Sequence, residues 1–174
     1  MTARDELIYG SPVLATFLAR WEAAASACAR FEFGIRIQVG VAHPRESVRG
    51  NLSSLIPLTS CTEPEQARLT LCTRARNKLL HCELDKLLEV LQEADPTFTP
   101  PRLTKRVAIG DGKIGDALTS DPVDVQDTVS RDEGFFGWLL EAAQTGMFER
   151  TVELLDEGLS IANARHTAAQ SPAP

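Results

Sequence analysis

With 174 residues, 43% hydrophobic and 24% charged side chains, the chain has ordinary globular usage and enough length for one domain with its own core, which excludes disordered, fibrous and disulfide-stapled architectures. Its formal net charge of −6 excludes broad coating of nucleic acid, which is driven by phosphate neutralisation, and leaves room only for a small basic site. No run approaches the ~18 apolar residues of a membrane span, and the first residues lack the apolar stretch of a signal peptide, so the expected compartment is the cytoplasm with no membrane partner.

The first element expected is a helix opened by Ser11-Pro12, a cap followed by proline at the first position. Leu14, Phe17, Leu18, Trp21, Ala24, Ala25 and Cys28 recur at spacings of three and four and form one buried stripe as far as Arg30. Residues 31–41 alternate apolar and polar, which is strand chemistry, yet Phe31, Ile35 and Val39 also share a helical face. The helix is preferred because the rest of the chain offers few strands to pair with. His43-Pro44 breaks it, and a shorter helix is expected from Pro44 to Leu55, with Arg45 and Arg49 on a solvated face.

Thr62-Glu63-Pro64-Glu65 is a capping box. Beyond it nothing breaks a helix from Gln66 to Glu93, and Leu69, Cys72, Leu79, Leu80, Leu84, Leu87, Leu88 and Leu91 supply its apolar stripe before Asp95-Pro96 stops it. This long central helix is the expected spine. Residues 95–132 form an irregular excursion in which Asp111-Gly112 signals a β-hairpin. A phosphate loop is discounted there, because the Lys-Ser or Lys-Thr of a Walker motif is missing. Helix returns near Asp132 with Phe135, Phe136, Leu139, Leu140 and Ala143 on one face. Gly146 kinks or splits it, Phe148, Val152, Leu155, Leu159 and Ala162 continue, and 166–174 reads as a disordered tail. The whole is an all-α bundle of four to five helices, one domain over 1–165.

Cys28, Cys61, Cys72 and Cys82 show no Cys-x-x-Cys spacing and read as free, half-buried thiols of a reducing compartment, with Cys72 and Cys82 on one helix. A zinc site from Cys72, His81 and Cys82 lacks paired-ligand spacing, so neither metal nor cofactor is expected. Ser and Cys candidates lack a His–acid relay for a hydrolase triad. Trp21 and Trp138 read as core rather than base-stacking platforms, His43 could join a site from another segment, and His166 reads as surface.

The chemistry concentrates in Arg76-Asn77-Lys78-Leu79-Leu80-His81. The spine has a basic first half, Arg68, Arg74, Arg76 and Lys78, and an acidic second half, Glu83, Asp85, Glu89 and Glu93. That order opposes the helix macrodipole at a few tenths of a kcal/mol per residue, which points to a cationic role. Asn77 and His81, four apart, can hydrogen bond and set the ring tautomer. Arg76 and His81 point about 140° apart on an ideal helix, so a shared site needs a second copy about a two-fold axis.

The hexapeptide resembles the hallmark of the HEPN superfamily (higher eukaryotes and prokaryotes nucleotide-binding): an Arg, then a polar residue that is often Asn, then a His after a spacer of four to six residues. By architecture the similarity covers residues 11–95 and the last helix; only the hexapeptide is specific. The resemblance implies a metal-independent endoribonuclease, commonly a homodimer, in a toxin or phage-defence role, with RNA or a nucleotide as ligand and an antitoxin or nucleotidyltransferase as partner. His81 would be the acid or base and Arg76 would hold the phosphate, the two catalytic residues; Asn77 and Lys78 would support them, and Arg68 and Arg74 would bind substrate. A non-catalytic nucleotide- or protein-binding module is the alternative that the same resemblance allows.

Overall fold

A computed structural model describes residues 12–98, 104–108, 114–118 and 144–170. Among them are α1 (Pro12–Ala42), α2 (Pro44–Arg49), α3 (Leu52–Leu55), a 3-10 turn (Ile56–Leu58), α4 (Glu63–Leu80), α5 (Leu84–Ala94), β1 (Thr104–Ala108), β2 (Ile114–Leu118) and α6 (Met147–Gln170). The architecture is an all-α bundle carrying one antiparallel hairpin, in which Thr104 pairs with Leu118 and Ala108 with Ile114. The hairpin flanks Asp111-Gly112, whose own residues lie outside the described ones, as does the helix expected from Asp132 to Ala143.

Helix α1 runs unbroken to Ala42, through the segment that alternates like a strand. The alternation is the overlap of two helical stripes. Phe31, Ile35 and Val39 are buried, while Phe33, Ile37 and Val41 are 66%, 46% and 63% exposed. Both sets recur every fourth residue, so helix geometry sorts them onto different faces where a strand would have placed them together.

The core is the seam of α1, α4 and α6. Phe31, Ile35, Leu69, Leu79, Phe148 and Leu155 are among its largest fully buried side chains, and truncating one of them to Ala costs about 2–5 kcal/mol. Helices α1 and α6 run in the same sense, since Arg20 meets Glu149 at 3.3 Å and Arg30 meets Asp156 at 3.0 Å. Their close approach depends on Gly158, where an added Cβ would lie 2.7 Å from Cys72 Sγ and 2.8 Å from Phe31 Cε2. Phe17, Trp21 and Phe148 pack as an aromatic cluster, with the Trp21 and Phe148 rings 6.4 Å apart and edge-on. Trp21 is thus core, as its helical position implies; Trp138 lies outside the described residues. Buried hydroxyls are satisfied within their own helices: Thr73 donates to Leu69 O at 3.0 Å and Thr151 to Met147 O at 2.7 Å.

Three boundaries differ from the expectation. The helix read from Pro44 to Leu55 is divided at Gly50, and Asn51 then caps α3 by accepting from Ser54 N at 2.9 Å; an Asx cap restarts the helix rather than continuing it. The spine expected from Gln66 to Glu93 is two helices, α4 and α5, parted at His81–Glu83. Helix α6 continues through Gln170 instead of fraying after Arg165, because the alanines there are strong helix formers and Arg165 is anchored. Only residues 171–174 of the expected tail lie outside the described ones. Gly146 takes φ 75° immediately before α6.

The anchor is Glu65. The capping box forms, with Thr62 N donating to Glu65 Oε2 at 2.7 Å, and Arg165 donates to both oxygens of the same carboxylate, at 2.7 Å from Nη2 to Oε1 and 3.0 Å from Nε to Oε2. The hydrogen bond from Arg165, then the Thr62 amide, hold the Glu65 carboxyl at about 2 against an ordinary value of 4.5. Because the folded value lies below the unfolded one, the contribution is complete above pH 4.5 and is lost as pH falls towards 2. Denaturation midpoints measured across that window should fall with acid, and Glu65→Gln should flatten the fall while lowering stability at pH 7.

Candidate functional site

Helix α4 distributes its cations to different neighbours. Arg68 Nε and Nη2 donate to the two oxygens of Glu157 on α6 at 2.9 and 2.6 Å, and its Nη1 donates to Ala94 O at 2.9 Å. Arg74 Nη1 lies 2.7 Å from Glu93 Oε2 on α5. Lys78 pairs with Glu83 just beyond the helix end. Arg76 turns to α1, where its Nη2 donates to Glu32 Oε2 and its Nη1 to Asn77 Oδ1 at 2.8 Å. The basic half of the spine therefore does not converge on one site.

These pairs also account for the charge order. An exposed ion pair contributes about 0.2–1 kcal/mol, comparable to the few tenths that each misplaced charge costs against the macrodipole. Four tertiary or turn contacts offset that cost without any ligand.

His81 stands where α4 ends. Cys82 N donates to Leu79 O at 3.0 Å and Glu83 N to Lys78 O at 2.9 Å, while Cys82 takes φ 55°. This is a Schellman turn, with a cysteine in the left-handed position that glycine usually fills. The side-chain contact across such a turn is normally apolar; here it is the Lys78–Glu83 ion pair. No glycine marks the stop, which is why the sequence reads as continuous helix. Cys82 is consequently exposed and off the helix that carries Cys72, and it does not share one helix with it.

The His81 ring is exposed and makes no side-chain hydrogen bond to another described residue; its backbone N–H donates to Asn77 O at 3.0 Å. The expected bond from the Asn77 amide to the ring is not formed. Asn77 Oδ1 is taken by Arg76 Nη1 instead. Asn77 orients Arg76 and leaves His81 alone.

The residue that sequence reasoning missed is Glu32. Its Oε1 accepts from Arg36 Nε at 2.9 Å and Nη2 at 2.7 Å, and its Oε2 accepts from Arg76. Arg36 is fixed in turn by Ser47 O at 2.5 Å and Gly50 O at 3.2 Å. Burial pushes the Glu32 carboxyl up, but the hydrogen bond from Arg36 and the charges of Arg76 and Arg36 outweigh it and hold the group below its usual range. The signal available was the i,i+4 pair Glu32–Arg36, hidden while the segment could be read as a strand. Arg76 Nε is buried without a hydrogen-bond partner.

The remaining candidates lie elsewhere. Burial holds the Cys72 thiol up at about 12 and the Cys28 thiol at about 11, the latter despite the nearby Arg76 charge; both are inert as nucleophiles. His43 sits in the joint between α1 and α2, with no side-chain capping bond. Arg45 and Arg49 are exposed, and His166 falls in the last turns of α6. Among the described residues no three His, Cys, Asp or Glu side chains are grouped to hold a metal ion, and no helix is long and apolar enough to cross a membrane. A cavity of about 270 Å³ lies between α4, α5 and α6, lined by Arg68, Leu91, Phe98, Arg150, Leu154 and Glu157 among others. Its polar rim is internally paired, Arg150 with Glu153 at 2.8 Å and Arg68 with Glu157, and Arg76 is not among its lining residues.

Compared with protein-family models, with curated proteins and with solved structures, the chain matches none.

The turn makes its own prediction. Left-handed backbone costs a non-glycine residue about 1–2 kcal/mol, and glycine returns about 0.4–1 kcal/mol of that through unfolded-chain entropy. Cys82→Gly should therefore raise stability in guanidinium titrations by about 0.5–1 kcal/mol, while Cys82→Val should lower it.

Proposed function

We propose that the chain is a metal-independent endoribonuclease of the kind its hexapeptide resembles, acting as a homodimer in a toxin or phage-defence setting. One observation carries the reading: the α4 C-terminal turn leaves the His81 ring exposed five residues after a guanidinium that Asn77 and Glu32 each engage through one N–H bond. A ribose 2′-hydroxyl is already beside its electrophile, so the protein has only to move a proton and steady charge on the phosphate. His81 is the proton carrier and Arg76 the anion holder.

The two side chains leave α4 about 140° apart, so they act on one phosphate only when a second copy completes the cleft. Leu80 is 41% exposed and lies about 40° from Arg76 on the arc towards His81, which makes it the apolar contact offered to that copy. Light scattering should give twice the 19.0 kDa chain mass, and Leu80→Glu should return the single-chain value. RNA incubated with the protein in EDTA should yield fragments ending in 2′,3′-cyclic phosphate, and His81→Ala should slow cleavage by at least about a hundredfold. Intact RNA with both proteins rejects the reading.

A second reading is favoured by the neutralised cations. Arg68, Arg74, Arg76 and Lys78 each have a carboxylate partner within the chain, so α4 offers RNA none of these charges unpaired. That suits a non-catalytic nucleotide- or protein-binding module partnering a nucleotidyltransferase or an antitoxin. Nucleotide binding that survives His81→Ala, fails in Arg76→Ala and is accompanied by no cleavage selects it.

A further inference from the structure

We infer that Glu32 is an internal stand-in for the phosphate on Arg76: the carboxylate occupies the guanidinium of the resting protein, and an incoming phosphodiester must displace it. The inference deepens the ribonuclease reading and rests on it only for the identity of the anion as RNA.

Three features of the cluster carry it. Arg76 is held loosely for a paired arginine. Glu32 reaches it through Nη2 alone, Asn77 takes Nη1, and Nε is buried with no partner. A guanidinium meets a carboxylate or phosphate best through two parallel N–H bonds, so the resting contact leaves binding capacity unused. Glu32, in contrast, is held firmly from the other side. Arg36 gives its Oε1 two N–H bonds, and Arg36 is itself tied to Ser47 O and Gly50 O, with Ser47 Oγ donating back to Arg36 O at 2.7 Å. When Arg76 leaves, the Glu32 charge stays neutralised, so the exchange strands no buried carboxylate, the step that makes breaking most buried pairs costly. Finally, the cluster is within reach of solvent: the Arg76 and Glu32 side chains are each 24% exposed.

The consequence is a threshold. Only the fraction of molecules in which Arg76 has left Glu32 is competent to bind, and apparent affinity is reduced by that fraction. A solitary anion meets this reduction with no other contacts to offset it. An RNA phosphate arrives with the other contacts of a bound strand, which offset it.

The test uses the full chain and two probes, inorganic phosphate and a short 2′-deoxy oligonucleotide that cannot be cleaved, at low salt. Glu32→Gln keeps an oxygen acceptor for Arg36 and removes the charge that competes for Arg76. It should bind both probes roughly tenfold more tightly than the unaltered protein, and adding Arg76→Ala should erase the gain. Should Glu32→Gln fail to give the helical circular dichroism of the parent, Glu32→Ala supplies the same test, since it removes the competing carboxylate outright. Affinity that is unchanged or weaker in a folded variant, or a gain that survives Arg76→Ala, overturns the inference. The ribonuclease reading fails separately: tighter anion binding in Glu32→Gln with no RNA cleavage by any variant removes the reaction and keeps the clamp, whereas cleavage without any gain in binding keeps the reaction and removes the clamp.

Discussion

The close contact of α1, α4 and α6 at Phe31, Cys72 and Gly158 is the constraint from which the rest of the molecule follows. A Cβ at Gly158 would collide with both the Cys72 sulfur and the Phe31 ring, so the three helices meet at a distance only glycine permits. Cys72 closes the same point by donating to Leu154 O at 3.3 Å. Close-packed seams of this kind transmit position faithfully, because a shift of one helix cannot be absorbed by voids. Next to Phe31 on α1 stands Glu32, and one turn along α4 from Cys72 stands Arg76. Their meeting is a product of the core.

Electrostatics then decides what the hexapeptide can do. In isolation it offers a guanidinium, an amide and an imidazole in six residues. In the fold, the amide belongs to the guanidinium, the guanidinium to Glu32, and only the imidazole is left to solvent. The chain is acidic overall, and its carboxylates find the cations of α4 one by one on α1, α5, α6 and the turn after α4. A charge order unfavourable along one helix is favourable across several. The macrodipole acts within one helix, whereas the carboxylates that outweigh it stand beyond α4, from five to eighty-nine residues away in the chain.

Much of the fold was legible in the sequence for local reasons. Thr62-Glu63-Pro64-Glu65 specifies a helix start through bonds among four neighbouring residues, and the stripe of Phe31, Ile35 and Val39 specifies a buried face by periodicity alone. Asp111-Gly112 between two short apolar runs marked the hairpin that β1 and β2 form around it. The division at Gly50–Asn51 is local, a glycine followed by an Asx cap, but the other two boundaries depend on distant contacts. His81–Glu83 contains no glycine or proline, so the left-handed turn at Cys82 has no compositional mark; it is sustained by the Lys78–Glu83 pair and by α5 folding back on α4, where Arg74 meets Glu93. The helical end of α6 is likewise secured by Arg165 on Glu65, a hundred residues apart in the chain.

The sequence by itself determined the all-α class, the principal buried faces and the residues of the motif, because helical periodicity and capping chemistry act over a few neighbouring positions. Only the tertiary structure decided which charges meet. It ended the spine at His81, gave Asn77 to Arg76, and brought Glu32 across from α1 as the partner no local pattern names, because ion pairing between helices depends on distances in space that linear spacing does not encode.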